Sequence, residues 1–217
     1  MVEEIRKMSS SVAGETEIPA LSQRVLDVMA KVPRHAFVPP QQRHAAYRNR
    51  PLEIGHGQTI SQPFIVALMT ELIQVSANDR ILEVGTGSGY QAAVLAELAD
   101  AVYTIEIVRP LGEAAAETFR RLGYDNVHTK IGDGYRGWPD AGPFEGIMVT
   151  AAPDHIPPAL VDQLKPGGRL VIPVGKFWQE LMVVTKKDDG TTINTTVVPV
   201  RFVPLTREKE KNETQPR

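Results

Sequence analysis

Arg80-Ile-Leu-Glu-Val-Gly-Thr-Gly-Ser-Gly-Tyr-Gln91, followed by Ala92-Ala-Val-Leu-Ala-Glu-Leu98, reads as strand, glycine turn and helix in one stretch. Gly85, Gly87 and Gly89 fall at i, i+2 and i+4. Without a Cβ they let the backbone turn tightly and let a ligand lie close against it. A dinucleotide fingerprint spaces its glycines at i, i+2 and i+5, with the pyrophosphate over the helix N-terminus. The i+5 position here is Tyr90, which argues against NAD or FAD.

Outward from that turn the chain alternates strand and helix. Strands are expected at Arg80–Val84, Ala101–Glu106, Val127–Ile131, Gly146–Thr150 and Arg169–Val174, and helices at Tyr90–Leu98, Leu111–Leu122 and Pro157–Leu164. Short apolar strands alternating with helices imply an α/β fold, a mostly parallel sheet covered on both faces. Lys165-Pro-Gly-Gly168 is expected to close the last helix. Glu180–Lys186 and Thr191–Val203, around the turn Asp188-Asp-Gly190, predict an antiparallel hairpin at the sheet edge. Upstream, helical spacing predicts helices over Leu21–Val32 and Phe64–Val75. Residues 1–19 are polar and the charged end 207–217 is expected to fray. The whole divides into an N-terminal helical segment (1–78), a core (79–175), C-terminal strands (176–206) and the tail.

Bulk properties exclude several classes. The 217 residues suffice for one α/β domain, with 42% apolar and 23% charged residues as in ordinary globular proteins. The net charge of −2 gives no basic excess for a phosphate backbone, so no nucleic-acid partner is expected. With no cysteine there is no disulfide, thiolate metal site or cysteine nucleophile. The five histidines, His35, His44, His56, His128 and His155, lack metal-ligand spacing, so no metal is expected. No window approaches the ~20 apolar residues that span a bilayer, and the charged start is not a signal peptide. The expectation is a cytoplasmic protein with no membrane partner.

Ligands of open parallel sheets bind beyond the carboxyl ends of the strands. Three such ends carry chemistry: the turn Gly85-Thr-Gly-Ser-Gly89, then Glu106, then Asp133 with Gly134. A carboxylate at Glu106 can accept both hydroxyls of a ribose, as the acid ~20 residues on does in nucleotide folds. Asp133 can accept from an adenine amine, with Gly134 giving the ring room. Glu83 either binds an ammonium or braces the turn. Tyr90 and Gln91 are expected to pack rather than touch ligand. The glycine spacing with an acid two residues before it resembles the first motif of AdoMet-dependent methyltransferases.

Ile54-Gly-His-Gly-Gln-Thr-Ile-Ser-Gln-Pro63 leads into the second helix, with Ser61 expected as N-cap and Pro63 in the first turn. One reading is only a capped helix. The other is an anion site, in which free N–H groups and the Thr59 and Ser61 hydroxyls hold a carboxylate. A carboxylate is already ionised at pH 7 and needs orientation rather than a base, and no His/Asp pair stands at catalytic spacing. His56 lines the cleft or simply faces the turn. Val149-Thr-Ala-Ala-Pro153 leaves a strand with small residues, and Arg201-Phe-Val-Pro-Leu-Thr206 is expected to end the final strand with backbone free for an extended peptide.

These segments resemble the protein-L-isoaspartate (D-aspartate) O-methyltransferase family. The resemblance rests on Val32-Pro-Arg-His-Ala-Phe-Val-Pro39, Gly57-Gln-Thr-Ile-Ser-Gln-Pro63, Leu82–Gln91, Gly132-Asp-Gly134, Val149–Pro153 and Arg201–Leu205, in the family's order across residues 20–206. It implies the doubly wound, Rossmann-like sheet of class I methyltransferases, and transfer of a methyl from AdoMet (S-adenosyl-L-methionine) to the free α-carboxylate of isoaspartyl, and possibly D-aspartyl, residues in damaged proteins. The ester then closes to a succinimide, which begins repair. The resemblance also implies Ser61 as the catalytic residue and a cofactor site of Thr59, Ile60, Gly85, Ser88, Glu106, Asp133 and Gly134, to which the reading of the glycine turn adds Glu83, Thr86, Gly87 and Gly89. The substrate side it implies comprises Val203, Pro204, Leu205 and Thr206, in a monomer, and the residue reading adds His56 and Ala151 to that side. The alternative is another AdoMet-dependent methyltransferase acting on a small molecule or RNA, against which stands Thr150-Ala-Ala-Pro153 where amino-methylating enzymes resemble one another in an Asn/Asp-Pro-Pro-Tyr motif.

Overall fold

A computed structural model of the chain describes residues 1–15 and 20–207. Helix α1 (Val2–Glu15) occupies a stretch in which sequence polarity predicts no element, and it is held by the fully buried Ile5. Helix α2 (Gln23–Lys31) starts inside its expected span because Ser22 Oγ accepts the Val25 N–H at 3.3 Å and caps it. The glycine-rich lead-in forms a small antiparallel ribbon, β1 (Leu52–Gly55) and β2 (Gln58–Ile60). Its turn runs through three left-handed residues, Gly55 (φ 93°), His56 (φ 54°) and Gly57 (φ 71°). Helix α3 (Pro63–Ile73) follows and ends at Gln74, itself left-handed with φ 56°.

The remaining elements are β3 (Arg80–Val84), α4 (Tyr90–Ala96), β4 (Ala101–Glu106), α5 (Arg109–Leu122), β5 (Val127–Ile131), β6 (Phe144–Val149), α6 (Pro158–Asp162), β7 (Leu164–Val174), β8 (Gln179–Lys186) and β9 (Thr192–Val200). They build one sheet in the order β5-β4-β3-β6-β7-β8-β9, parallel through β7 and antiparallel at the β8–β9 edge. Alternate strand residues point to opposite faces. Ile81, Met148, Val171 and Leu181 therefore join the core under α1 to α5, while Leu82, Ile147, Leu170 and Ile172 join a second core under α6. This two-sided burial is what near-continuous apolar strands require.

Lys165–Gly168 does not close a helix. Helix α6 stops at Asp162, and β7 begins at Leu164 with those four residues taken up in a register break, Phe144 facing Leu164 and Gly146 facing Arg169. The charged tail expectation lies, beyond Arg207, outside the described residues, as do residues 16–19.

Strand order reverses between β3 and β6, so a crevice opens at their carboxyl ends, over the glycine turn. Gly89 turns the chain into α4 with φ 89°, and a Cβ there would sit 2.6 Å from Phe119 Cζ on α5. Gly89→Ala is therefore expected to destabilise the fold by ~1–3 kcal/mol, through overpacking and left-handed strain. Chemical denaturation checks this; an unchanged midpoint would contradict the close approach.

Candidate active site

The turn between β3 and α4 has few amides left to offer. Gly85 N–H and Thr86 N–H both donate to Ile105 O, at 2.8 and 3.2 Å, and Gly89 N–H donates to Thr86 O at 2.7 Å. Gly87 N–H donates to Glu106 Oε2 at 2.7 Å, and Glu106 Oε1 accepts the Val108 N–H at 2.9 Å. A phosphate-binding turn presents free N–H groups to its ligand. This turn spends them internally and sets a buried carboxylate against itself instead, which disfavours a phosphate and favours hydroxyl groups or a cation. A carboxylate has about four acceptor sites, so Glu106 retains capacity for a ligand diol after serving two amides.

Glu83 lies fully buried beside this acid. Thr104 donates its hydroxyl to Glu83 Oε2, and Thr86 donates to Thr104 Oγ1 at 2.6 Å, so one oxygen braces the turn. The other oxygen, Oε1, has no partner among the described residues. Burial pushes the Glu83 carboxyl up to about 8, with the nearby Glu106 charge adding to the rise. An acid with one unpartnered oxygen and a second acid beside it make this end of the crevice acceptor-rich.

The cleft above the turn measures about 740 Å³ including its open part, within the usual range for small-molecule sites. From β3 and the turn it takes Glu83, Gly85, Thr86, Gly87 and Ser88; from β4, Glu106; from the loop after β5, Gly134. Thr59, Ile60 and Ser61 also line it, as do Ala151 and Val203 to Thr206. Three expected positions stand apart from this wall. Gly89 packs under the helix start. Asp133 Oδ1 accepts the Tyr135 N–H at 2.9 Å, capping a short turn. His56 is exposed at the tip of the β1–β2 turn.

Two further expectations are corrected. Ser61 is not the N-cap of α3; that position is Gln62, and the Phe64 N–H is accepted at 3.0 Å by Asn49 Oδ1. With Pro63 lacking an N–H, the helix end offers little to an anion. Arg201–Thr206 does not end β9, which stops at Val200. It runs back as an extended segment whose Val203 O and Leu205 N–H pair with Ala152, at 2.8 and 2.9 Å. The Gln179 side chain holds both the N–H and the carbonyl of Phe202. Because neighbouring extended residues alternate, only the opposite edge, at Pro204 O and Thr206, remains for another chain.

A second cavity of about 950 Å³, open part included, adjoins the first and is bordered by Pro51, Gln62, Ile65 and residues 199–203. Thr59, Ser61, Thr150 and Val203 line both. Sequence reading named no role for Thr150, whose hydroxyl donates to Gly85 O at 2.6 Å and ties β6 to the turn. It also passed over Ile107 and Val108, which follow Glu106 directly and line the first cleft. Tyr90 and Gln91 both pack and border that cleft.

A doubly wound parallel sheet, with an acid-lined glycine turn at its switch point, is the architecture of Rossmann-like methyltransferases. The profile of "Protein-L-isoaspartate(D-aspartate) O-methyltransferase (PCMT)" matches residues 15–210, and the chain belongs to that family. It is 58% identical to protein-L-isoaspartate O-methyltransferase 2 of Polaromonas sp., over 96% of this chain and 100% of that one. A solved protein-L-isoaspartate O-methyltransferase superposes with a TM-score of 0.80 at 29% identity, covering 94% of this chain and 65% of that longer one. A beta-aspartate methyltransferase (PCMT) from Plasmodium falciparum, in complex with S-adenosyl-L-homocysteine, gives 0.77 at 27% identity and covers 94% and 98%.

The buried Glu83 carboxyl makes a pH prediction. Its folded pKa, about 8, lies above the ordinary value of 4.5, so the folded state holds the proton more tightly. The associated stabilisation is full below about pH 4.5 and is lost as pH rises through about 8. Glu83→Gln removes this term. In the absence of cofactor the variant should therefore gain stability relative to the parent across that interval, with no further change above it. A stability difference independent of pH would contradict the assignment.

Proposed function

We propose that this chain is a protein-L-isoaspartate O-methyltransferase that moves a methyl from AdoMet to the free α-carboxylate of an isoaspartyl residue in a damaged polypeptide. What carries the reading is that Ser61 lines two adjoining cavities at once, one acid-lined over the glycine turn and one open toward residues 199–203. A group-transfer enzyme needs such a junction between donor and acceptor.

The residues of the first cavity fit the cofactor. Glu106 has acceptor capacity for a ribose diol, and the buried Glu83 lies beside it in the cleft wall with Oε1 unpartnered among the described residues. Gly134 lets the loop after β5 close onto Val84, whose Cγ1 a Cβ there would strike, and the turn lacks a phosphate nest. When bound, AdoMet supplies a methyl on a positively charged sulfur; the carboxylate oxygen takes it, and sulfur keeps the bonding pair as the thioether forms. Thr59, Ile60, Gly85, Thr86, Gly87 and Ser88 shape that side. Gly89 acts by setting the start of α4, and Asp133 by holding the turn that carries Gly134.

Ser61 is the residue that meets the substrate. Its hydroxyl makes no hydrogen bond among the described residues, which leaves it able to donate to one carboxylate oxygen and fix the other toward the methyl. An acceptor carboxyl of pKa ~4 is ionised at neutral pH, so no proton has to move; orientation and removal of water are the work required. The substrate chain lies along Val203 to Thr206, with Ala151 giving it room, and His56 is a residue of the turn outside this contact. The ester product then closes to a succinimide, beginning repair.

The reading entails a monomeric cytoplasmic enzyme with damaged proteins as partners. The net charge of −2 gives no basic excess for a nucleic acid, and no helix among the described residues is long and apolar enough to cross a membrane. Methyl-labelled AdoMet is expected to label an L-isoaspartyl peptide and not its aspartyl counterpart. Ser61→Ala should slow that labelling by roughly 10- to 100-fold, the worth of a hydrogen bond to a charged group, with AdoMet affinity nearly unchanged. Equal labelling of both peptides, or of neither, would overturn the reading.

A further inference from the structure

The segment Val32-Pro-Arg-His-Ala-Phe-Val-Pro39 has no role in the reaction as described so far, yet it contains the largest fully buried side chain of the protein, Arg34. Its guanidinium is 0% exposed and has no carboxylate within ion-pair distance among the described residues. A buried cation without a counter-ion is costly, and an apolar residue of similar volume would fill the space at less expense. Even with burial drawing its pKa down to about 10, the group is charged at neutral pH.

What offsets the burial is specific. Arg34 Nε donates to Ala46 O at 2.8 Å, and Nη2 donates to Ser61 O at 2.6 Å. The guanidinium carbon sits 4.7 Å from the centre of the Tyr90 ring, a cation–π arrangement. Tyr90 opens α4 directly after the glycine turn and borders the first cavity. One side chain therefore ties three things together: the Ala46 backbone, the backbone of Ser61, and the first residue beyond the turn. Asn49, three residues past Ala46, holds the Phe64 N–H on the other side of Ser61. The segment from Ser61 to Phe64 is thus pinned at both ends, by Arg34 and by Asn49, and neither pin uses the Ser61 hydroxyl.

We propose that Arg34 is a positioning residue for methyl transfer. By holding the Ser61 carbonyl on a guanidinium that itself lies over the Tyr90 ring, it fixes the Ser61 hydroxyl at the junction of the two cavities and sets its distance from the glycine turn. The proposal rests on the reading that Ser61 orients the acceptor carboxylate. It requires two donors on a rigid planar fork, one for each carbonyl. Lysine keeps the charge but offers a single ammonium, so it cannot span Ala46 and Ser61 in the same way.

The test compares the parent chain with Arg34→Lys and Arg34→Met in the labelling assay, with AdoMet affinity and thermal denaturation measured alongside. The expected result is a kcat for the isoaspartyl peptide lowered roughly 10- to 100-fold in Arg34→Met, as for a small misplacement of a catalytic group. Arg34→Lys should fall in between, and AdoMet affinity should stay within about threefold, since every cofactor contact is left in place. Unchanged kcat with a lowered melting temperature would assign Arg34 to stability alone and overturn the proposal. Loss of AdoMet affinity in step with kcat would also overturn it, by showing that Arg34 acts through Tyr90 and the cofactor wall. If Arg34→Met does not fold, Arg34→Lys against the parent decides by the same criteria. Failure here with isoaspartyl-specific labelling intact in the parent leaves the proposed function standing; absence of that labelling removes both.

Discussion

Glu106 accepts the Gly87 N–H at 2.7 Å with one oxygen and the Val108 N–H at 2.9 Å with the other, and through these bonds the acid that ends one strand shapes the turn after its neighbour. Because the turn's amides are consumed by Ile105 O, Thr86 O and Glu106, the generic glycine-rich anion nest is converted into a wall of acceptors. Glu83, directly opposite Thr104 in the β3–β4 ladder, adds a second acid to the same wall. The cost of burying Glu83, increased by the Glu106 charge beside it, appears as its raised pKa, about 8. A ligand bearing hydroxyl groups and positive charge relieves that strain; a pyrophosphate would worsen it.

The acceptor side of the chemistry depends on contacts of longer range. Ser61 sits on a segment whose local sequence does not hold it in place. Its carbonyl is held by Arg34 and the following helix start by Asn49, while Thr150 binds the opposite wall to the glycine turn. The protein thus separates two tasks. The parallel sheet and its turn set the cofactor side, and the N-terminal segment sets the position of the hydroxyl against it.

This separation explains what could be read from the amino-acid order. The β3–turn–α4 unit, the strand end at Glu106 and the two-faced sheet follow from neighbours in sequence: apolar runs, glycine spacing and an acid at the end of a run. Asn49 capping α3 does not, because the donor and acceptor lie on different elements, and Ser61 looked like the local cap. Asp133 likewise binds its own turn through Tyr135 N–H, a local bond that competes with any ligand. Helix α1 was hidden by its polarity, since Ile5 is the one buried apolar side chain among its described residues. Lys165–Gly168 carries helix-breaking residues, but a register break in a strand uses the same residue types. The extended run at 201–206 was legible as an edge, though not that Ala152 already occupies one side of it.

The central claim is that donor and acceptor meet at Ser61. A structure of the protein with S-adenosyl-L-homocysteine and an isoaspartyl peptide bound together tests it most directly. The account predicts the thioether sulfur in the cavity over the glycine turn, the peptide along Val203 to Thr206, and one oxygen of its α-carboxylate within hydrogen-bond distance of Ser61 Oγ. A carboxylate bound away from Ser61, or a peptide that never enters the adjoining cavity, would contradict it.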